Sequence, residues 1–359
     1  QVWIIIPTDV DCVVLCVCLQ DHLPASYLPA ERQGFPALYE WLKAHNAEFD
    51  KVEVGSFGGV GYGVKATADI EMGERVMRIP EKLMMTSETA KTSQLGPLIA
   101  RDRMLQVMPN VALALHLLNE RYNPKSFWKP YIDILPATFS LPLWFDRSQL
   151  ELLTGSPCLS DSLQHVRSVG KLYSHLHKLL RAHGDTSIYL YSVGFYYDDF
   201  VWAVSAVMSR QNEIPHERDE TQSKLALIPL WDMCNHWPGS ISTDFDAELR
   251  TCDCFSPSAV RTGKELRIFY GARSNAELFL HQGFVYPPNT GDTLRIKLGL
   301  SSGEDSVTKS MKSRLLTKLD IPLSGVFHVL AAEDPFTPQL KAFVRVFTAK
   351  SEDLQRYGA

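Results

Sequence analysis

The sequence predicts an α+β protein on three observations. Two stretches of short alternating segments, near 52–80 and 225–270, stand about 140 residues apart; apolar residues at helical spacing fill the interval; and strands and helices mix again after residue 285. At 359 residues, with 45% apolar and 21% charged residues, the chain falls among ordinary globular proteins and is long enough for about two packed units. A net charge of −5, from 36 Lys plus Arg against 41 Asp plus Glu, gives no chain-wide basic excess for a nucleic-acid backbone. Seven cysteines, sparse and odd in number, fit no disulfide framework and point to a reducing compartment.

The apolar runs Val2 to Ile6 and Cys12 to Leu19 are interrupted by Pro7, Asp9 and Asp11, so neither reaches the roughly 18–20 residues of a membrane span. No basic region precedes them, and this start reads as a piece of chain rather than a secretion signal; a cytosolic or nucleocytoplasmic protein is expected. Within the first β stretch, Val64 to Thr67 and Arg75 to Ile79 read as strands, with Gly63 and Gly73 at turns. FGGVGYG, Phe57 to Gly63, reads as a hairpin turn. A strand follows it rather than a helix, which excludes a helix N-terminal phosphate site.

Val111, Ala114, Leu115 and Leu118 repeat at helical spacing, Val166 to Leu180 gives a long amphipathic stripe, and Phe200 to Met208 gives a third, opened by Asp198 and Asp199. Strands are expected again at Leu225 to Leu230, Ala259 to Val260 and Glu265 to Tyr270. Ser274 to Glu277 has capping-box spacing, so a short helix should run from Ser274 to Gln282 and stop at Gly283. Beyond it Leu294 to Leu300 reads as a strand, and Lys309 to Leu319 and Gln339 to Thr348 as helices. Periodicity leaves open whether the two β stretches form one domain with a helical insert or two domains.

Three segments concentrate chemistry. SRQNEIP, Ser209 to Pro215, ends the third helix with Arg210 and Asn212, which taken alone is an ordinary polar cap. ALIPLWDMCNHWPGS is less ordinary: an apolar strand, Ala226 to Leu230, runs into Trp231, Asp232, Asn235 and His236. Polar side chains emerging from a core need one another or a ligand. LRIFYGARSNAE closes a strand on Tyr270 and follows it with Arg273 and Asn275. Cys234, Cys252, Cys254 and His236 fit no common zinc spacing, a Cys234–His236 nucleophilic pair is disfavoured two residues apart on an extended chain, and no nucleophile elbow is present.

Together FGGVGYG, RQN, WDMCNH and IFYGARSNAE, with the flanking FWKPYI and ALIPLWD, resemble the SET-domain methyltransferases of the class related to Rubisco large-subunit methyltransferase, and within it the actin-histidine N-methyltransferase group, over about Phe35 to Thr348. The resemblance implies a SET-domain β fold with a pseudoknot at Asn235 and His236, divided as an irregular start then helix at 1–51, SET parts at 52–89 and 209–285, a helical insert at 90–208, and the start of a helical substrate-binding domain at 286–359. It implies S-adenosyl-L-methionine in a cleft lined by Arg32, Val60, Gly61, Tyr62, Arg210, Asp232, Met233, Cys234, Asn235, His236 and Gln282, the last where the group has a small serine. Tyr270 and Asn212 take the catalytic roles, and Trp231, Ile241, Ile268 and Arg273 the walls of the substrate channel. The implied reaction is methylation of the tele nitrogen of a histidine in actin; lysine methylation of a histone, and a silent peptide-binding module, are the alternatives. The implied partner is actin, bound by a monomer without nucleic acid, membrane or metal, in the cytoplasm and also the nucleus.

Overall fold

The computed structural model describes residues 2–7, 12–17, 34–58, 61–216, 219 and 221–356. Arg32 and Val60, both expected to line the cofactor cleft, lie outside the described residues. The chain divides into two compact units, one of Gln1–Gly271 with Phe279–Phe284, the other of Ala272–Leu278 with Val285–Ala359. The mixture of helix and strand is that of the α+β class. Among the described residues no helix is long and apolar enough to cross a membrane.

In the first unit, three small sheets each join chain from both β stretches. The four-stranded sheet runs Val52–Phe57, Gly61–Ala66, Glu265–Ile268, Asn235–His236. A second runs Thr243–Asp246, Thr251–Phe255, Arg75–Pro80, and a third Met85–Thr86, Ser223–Leu227, Asn212–Pro215. FGGVGYG is the expected hairpin, with Phe57 opposite Gly61 and Val54 opposite Val64. Gly63, expected at a turn, instead lies inside the second strand; the turn falls before Gly61, whose φ of 85° glycine adopts without strain. Gly73 does turn, at φ 79°. Val64 and Ala66 point inward and are fully buried, as alternation along a half-buried strand requires.

The interval between the β stretches is helical, as its periodicity demands. Pro109–Tyr122 packs along Tyr197–Arg210, placing Leu113, Leu115 and Leu117 with Phe200, Ala203 and Ala206 in the main core at zero or near-zero exposure. Each leucine or phenylalanine of this set contributes about 1.5–3 kcal/mol by leaving water. Pro157–His183 begins where the Ser156 hydroxyl accepts from the Cys158 amide and ends on Gly184 in the left-handed region. Helix Tyr197–Arg210 carries Asp198 and Asp199 in its first turn and Arg210 in its last, matching both ends of its dipole.

The strand expected over Leu225 to Leu230 is Ser223–Leu227; Leu230 takes φ 68°, which breaks extension and turns the chain into the single helical turn Trp231–Met233. At Ala259 to Val260 only a bridge between Val260 and Ile70 forms, and the strand expected to reach Tyr270 ends at Ile268.

In the second unit, strands Thr293–Gly299 and Ser324–Leu330 pair antiparallel, and helices Ser306–Lys318 and Pro338–Thr348 carry Leu316, Leu340, Phe343 and Val346 into a core with Phe327. Ser324–Leu330 was not expected, because SGVFHVL opens on two small residues and alternates over only part of its length. Helix Asn275–Gln282 is entered as expected, with the Ser274 amide and hydroxyl both donating to Glu277 Oε2 at 2.8 Å, and it stops at Gly283.

Candidate functional site

The site grows from the strand Glu265–Ile268. On one side it pairs antiparallel with Gly61–Ala66, through Glu265 opposite Lys65 and Leu266 opposite Val64. On the other it takes Asn235–His236 in parallel, with Arg267 opposite Asn235, Ile268 opposite His236 and the Trp237 amide donating to Ile268 O at 2.8 Å. The chain from Trp231 to Trp237 is thereby threaded against a strand 30 residues further on, and its amides close on themselves: Asp232 N to Ile228 O, Met233 N to Leu230 O, Cys234 N to Trp231 O.

Arg210 and Asp232 meet at one end of this segment. Arg210 Nη1 donates to Asp232 O at 2.8 Å and lies 3.5 Å from Asp232 Oδ1, with Met233 Sδ at 3.6 Å. The Asp232 carboxylate is almost wholly buried and also accepts from the Tyr131 hydroxyl. Asp232 therefore fixes Arg210 rather than facing a ligand with its own charge. Burial first, then the neighbouring Asp232, pushes the Tyr131 hydroxyl far above its ordinary value, so it stays a neutral donor. Tyr131, carried by the FWKPYI text, is a member of the site that sequence reasoning missed. Arg210 Nε is buried and has no hydrogen-bond acceptor among the described residues.

Asn235 occupies the middle. Its amide nitrogen donates to Glu265 Oε1 at 2.6 Å and to Tyr62 O at 3.2 Å, which uses both of its hydrogens and turns Oδ1 outward. Gly63 makes this approach possible: a Cβ there would stand 2.5 Å from Glu265 Oε1 and 2.8 Å from Asn235 Nδ2. A guanidinium donor lacking an acceptor and an amide oxygen held outward suit a ligand carrying both a carboxylate and an ammonium.

Tyr270 closes the other end. Its hydroxyl donates to Cys234 O at 2.6 Å and its amide donates to His236 Nδ1 at 3.2 Å, so that ring nitrogen is unprotonated and a neutral His236 carries its proton on Nε2. The rings of Tyr270, Phe269 and Phe284 lie 5.2, 5.9 and 5.9 Å from that of His236. Burial holds the Tyr270 hydroxyl above its ordinary value, the Arg210 charge opposing, so it is protonated at any physiological pH. Cys234 is buried, and its thiol is pushed well above the usual range by burial and then by Cys254, Asp232 and Glu265, which makes it a packing residue that offers its backbone carbonyl. Burial likewise lifts Cys252 and Cys254 to about 12.

Asn212 opens the strand Asn212–Pro215 beside Ala226, and its side-chain nitrogen donates to Arg210 O at 3.0 Å. The end of helix Tyr197–Arg210 thus sets the amide, leaving Oδ1 as acceptor. Trp231, Met233 and Ile268 are buried.

The structure brings Tyr62, Arg210, Asp232, Met233, Cys234, Asn235, His236 and Tyr270 into one bonded cluster, with Asn212 on Arg210 and Gly61 at the hairpin edge. Other expected residues are placed differently. Ile241 is 72% exposed on the loop after Trp237, because Pro238 to Ser240 carry the chain away from the sheet. Gln282 Oε1 is buried with no hydrogen-bond partner among the described residues. Arg273 belongs to the second unit, where its carbonyl accepts from Asn289 Nδ2 at 2.8 Å.

No family model matches the chain. It is 41% identical over 338 residues to the actin-histidine N-methyltransferases of Danio rerio and Homo sapiens, and 41% identical over 323 residues to that of Gallus gallus. These matches cover 94%, 94% and 90% of this chain and 56%, 56% and 54% of those proteins, so the chain spans about half the length of the curated relatives it matches. In three dimensions it superposes on the SET domain of LSMT bound to lysine and AdoHcy, with a TM-score of 0.75 at 21% identity over 90% of this chain and 73% of that one. It also superposes on Rubisco LSMT bound to AdoMet, with a TM-score of 0.74 at 22% identity over 89% of this chain and 72% of that one. The fold is that of the SET domain.

Proposed function

The chain being a SET-domain protein related to the actin-histidine N-methyltransferases, we propose that it methylates the tele nitrogen of a histidine in actin with S-adenosyl-L-methionine. The observation that carries this reading is the likeness at 41% identity over 94% of the chain, together with an asparagine, Asn212, whose amide is set by Arg210 O beside the cluster. S-adenosylmethionine, when bound, supplies an electrophilic methyl group on a sulfonium. Among this chain's residues, the free guanidinium donor of Arg210 takes the carboxylate and Asn235 Oδ1 the ammonium, while the hairpin at Gly61 and Tyr62 closes over the cofactor.

Displacement at a sulfonium needs a neutral nucleophile in line with the departing sulfur. A histidine ring meets that need when one nitrogen is unprotonated and the other is held. Asn212 Oδ1 accepts from Nδ1–H of the target, which leaves the Nε2 lone pair for attack. After transfer the ring is an imidazolium and loses the Nδ1 proton to solvent. Tyr270, neutral and fixed on Cys234 O, has hydroxyl lone pairs to stabilise the polarised methyl group. Buried Trp231 and Ile268 flank the ring, and Ile241 joins them when substrate is bound. The enzyme acts as a monomer in the cytoplasm, with a nuclear pool.

The test offers recombinant protein and radiolabelled S-adenosylmethionine to actin, to actin whose candidate histidine is alanine, and to histone H3. Label on actin that disappears with the histidine is expected. Label persisting on the variant, or found on H3 alone, replaces histidine with lysine as acceptor; cofactor binding without label on any protein leaves a peptide-binding module.

A further inference from the structure

We infer that Glu265, ion-paired with an Arg267 that lies over the Trp237 ring, is a positioning residue that fixes the side-chain amide of Asn235 so that its oxygen faces the ammonium of the cofactor. The inference rests on the cofactor reading given above and assigns part of that site's affinity to residues that do not touch the ligand.

An asparagine amide can present either its oxygen or its nitrogen, and nothing local to Asn235 chooses between them. Glu265 chooses. Its side chain is only 5% exposed, and one oxygen, Oε1, accepts from Asn235 Nδ2 at 2.6 Å while the other, Oε2, accepts from Arg267 Nε at 2.5 Å. Tyr62 O takes the second hydrogen of Asn235 Nδ2, so rotation of the amide would set its oxygen against two acceptors. Gly63 keeps this packing tight, since any Cβ there would enter both Glu265 and Asn235.

A carboxylate buried this far needs its charge answered. Arg267 does so from the surface, where its guanidinium carbon lies 4.8 Å from the ring centroid of Trp237, a residue 47% exposed. Trp237 also gives its backbone amide to Ile268, so the indole that shelters Arg267 sits at the end of the same threaded segment that carries Asn235. The contacts run Trp237, Arg267, Glu265, Asn235, from solvent to the face of the site.

Only a group that accepts at both ends satisfies this arrangement. In Glu265→Gln one end becomes a donor and must confront either Asn235 Nδ2 or Arg267 Nε, at almost unchanged volume. The affinities of S-adenosylmethionine and of 5′-methylthioadenosine, which lacks the ammonium, are measured by calorimetry for the parent protein, Glu265→Gln, Asn235→Ala and the double variant, each at a temperature where its thermal transition shows it folded. Since a hydrogen bond to a charged group is worth about tenfold or more, Glu265→Gln is expected to weaken S-adenosylmethionine about tenfold, to leave methylthioadenosine within about twofold, and to add nothing in the Asn235→Ala background. Trp237→Ala, an exposed change that leaves the core intact, should give the same selectivity at about two- to threefold. Equal weakening of both ligands, further loss in the Asn235→Ala background, or unchanged affinity in Glu265→Gln and Trp237→Ala beside a weakened Asn235→Ala overturns the positioning role alone. An Asn235→Ala protein that binds S-adenosylmethionine as tightly as the parent overturns the cofactor reading, and the inference with it.

Discussion

Two regions of the first unit are held together by opposite means. Where Gly61–Ala66, Trp231 to Trp237 and Glu265 to Tyr270 meet, polar groups are buried and answered by one another: Asp232 by Tyr131 and Arg210, Asn235 by Glu265 and Tyr62 O, Tyr270 by Cys234 O. In the helical block the interior is mostly apolar, and one of its buried titratable side chains, His116, has no hydrogen-bond partner at either ring nitrogen among the described residues and packs edge-on against Trp128. Hydrogen bonds are directional and apolar contacts are not, so the first region specifies geometry and the second supplies stability. A substitution should show which region it belongs to by whether it moves affinity or melting.

The largest effect is expected in the helical block. Phe200 has no exposed surface, and Phe200→Ala should destabilise the protein by about 3–5 kcal/mol in denaturant unfolding. Binding of S-adenosylmethionine below the transition should stay within twofold, and a proportionate loss of affinity would erase the division.

His116 sharpens the comparison through pH. Burial lowers its pKa from 6.5 to about 4, so the unfolded chain binds a proton that the folded chain refuses between those values. Its contribution is full above pH 6.5 and is lost as pH falls towards 4, by about 3 kcal/mol. His116→Phe should flatten this part of the stability profile, measured by denaturant titration at pH 7 and pH 4.5, while cofactor affinity at pH 7 is unchanged.

Gly63→Ala attacks the polar region at its tightest point. The added Cβ would reach Glu265 Oε1 and Asn235 Nδ2 inside contact distance, and should weaken S-adenosylmethionine by about tenfold or more, roughly the value of one charge-assisted hydrogen bond. A calorimetric Kd within twofold of the parent would show that the pair can shift at no cost.

The smallest expected effect separates two jobs inside the polar region. On the proposed reading, Asn212→Ala should lower single-turnover methyl transfer to actin about tenfold, one hydrogen bond on the acceptor ring, with cofactor Kd unchanged. Equal loss of both would place Asn212 with the cofactor residues rather than with the substrate.

The sequence alone determined what is local. Helical spacing in 109–122, 157–183 and 197–210, the stop at Gly283, the Ser274 and Glu277 box and the hairpin at FGGVGYG each follow from contacts a few residues apart, and each is present in the structure. The four motifs also carried the family resemblance and collected Arg210, Asp232, Asn235, His236 and Tyr270. Tertiary structure decided what crosses the chain: that Asn235–His236 lies parallel to Glu265–Ile268, that Tyr131 reaches Asp232 from 101 residues away, and that Glu265 rather than solvent holds Asn235. It also moved Gly63 from a turn to a strand position where a side chain would displace that pair. Periodicity reports which face of a segment avoids water, whereas the identity of a buried polar group's partner is fixed only when distant segments pack and each must satisfy the other.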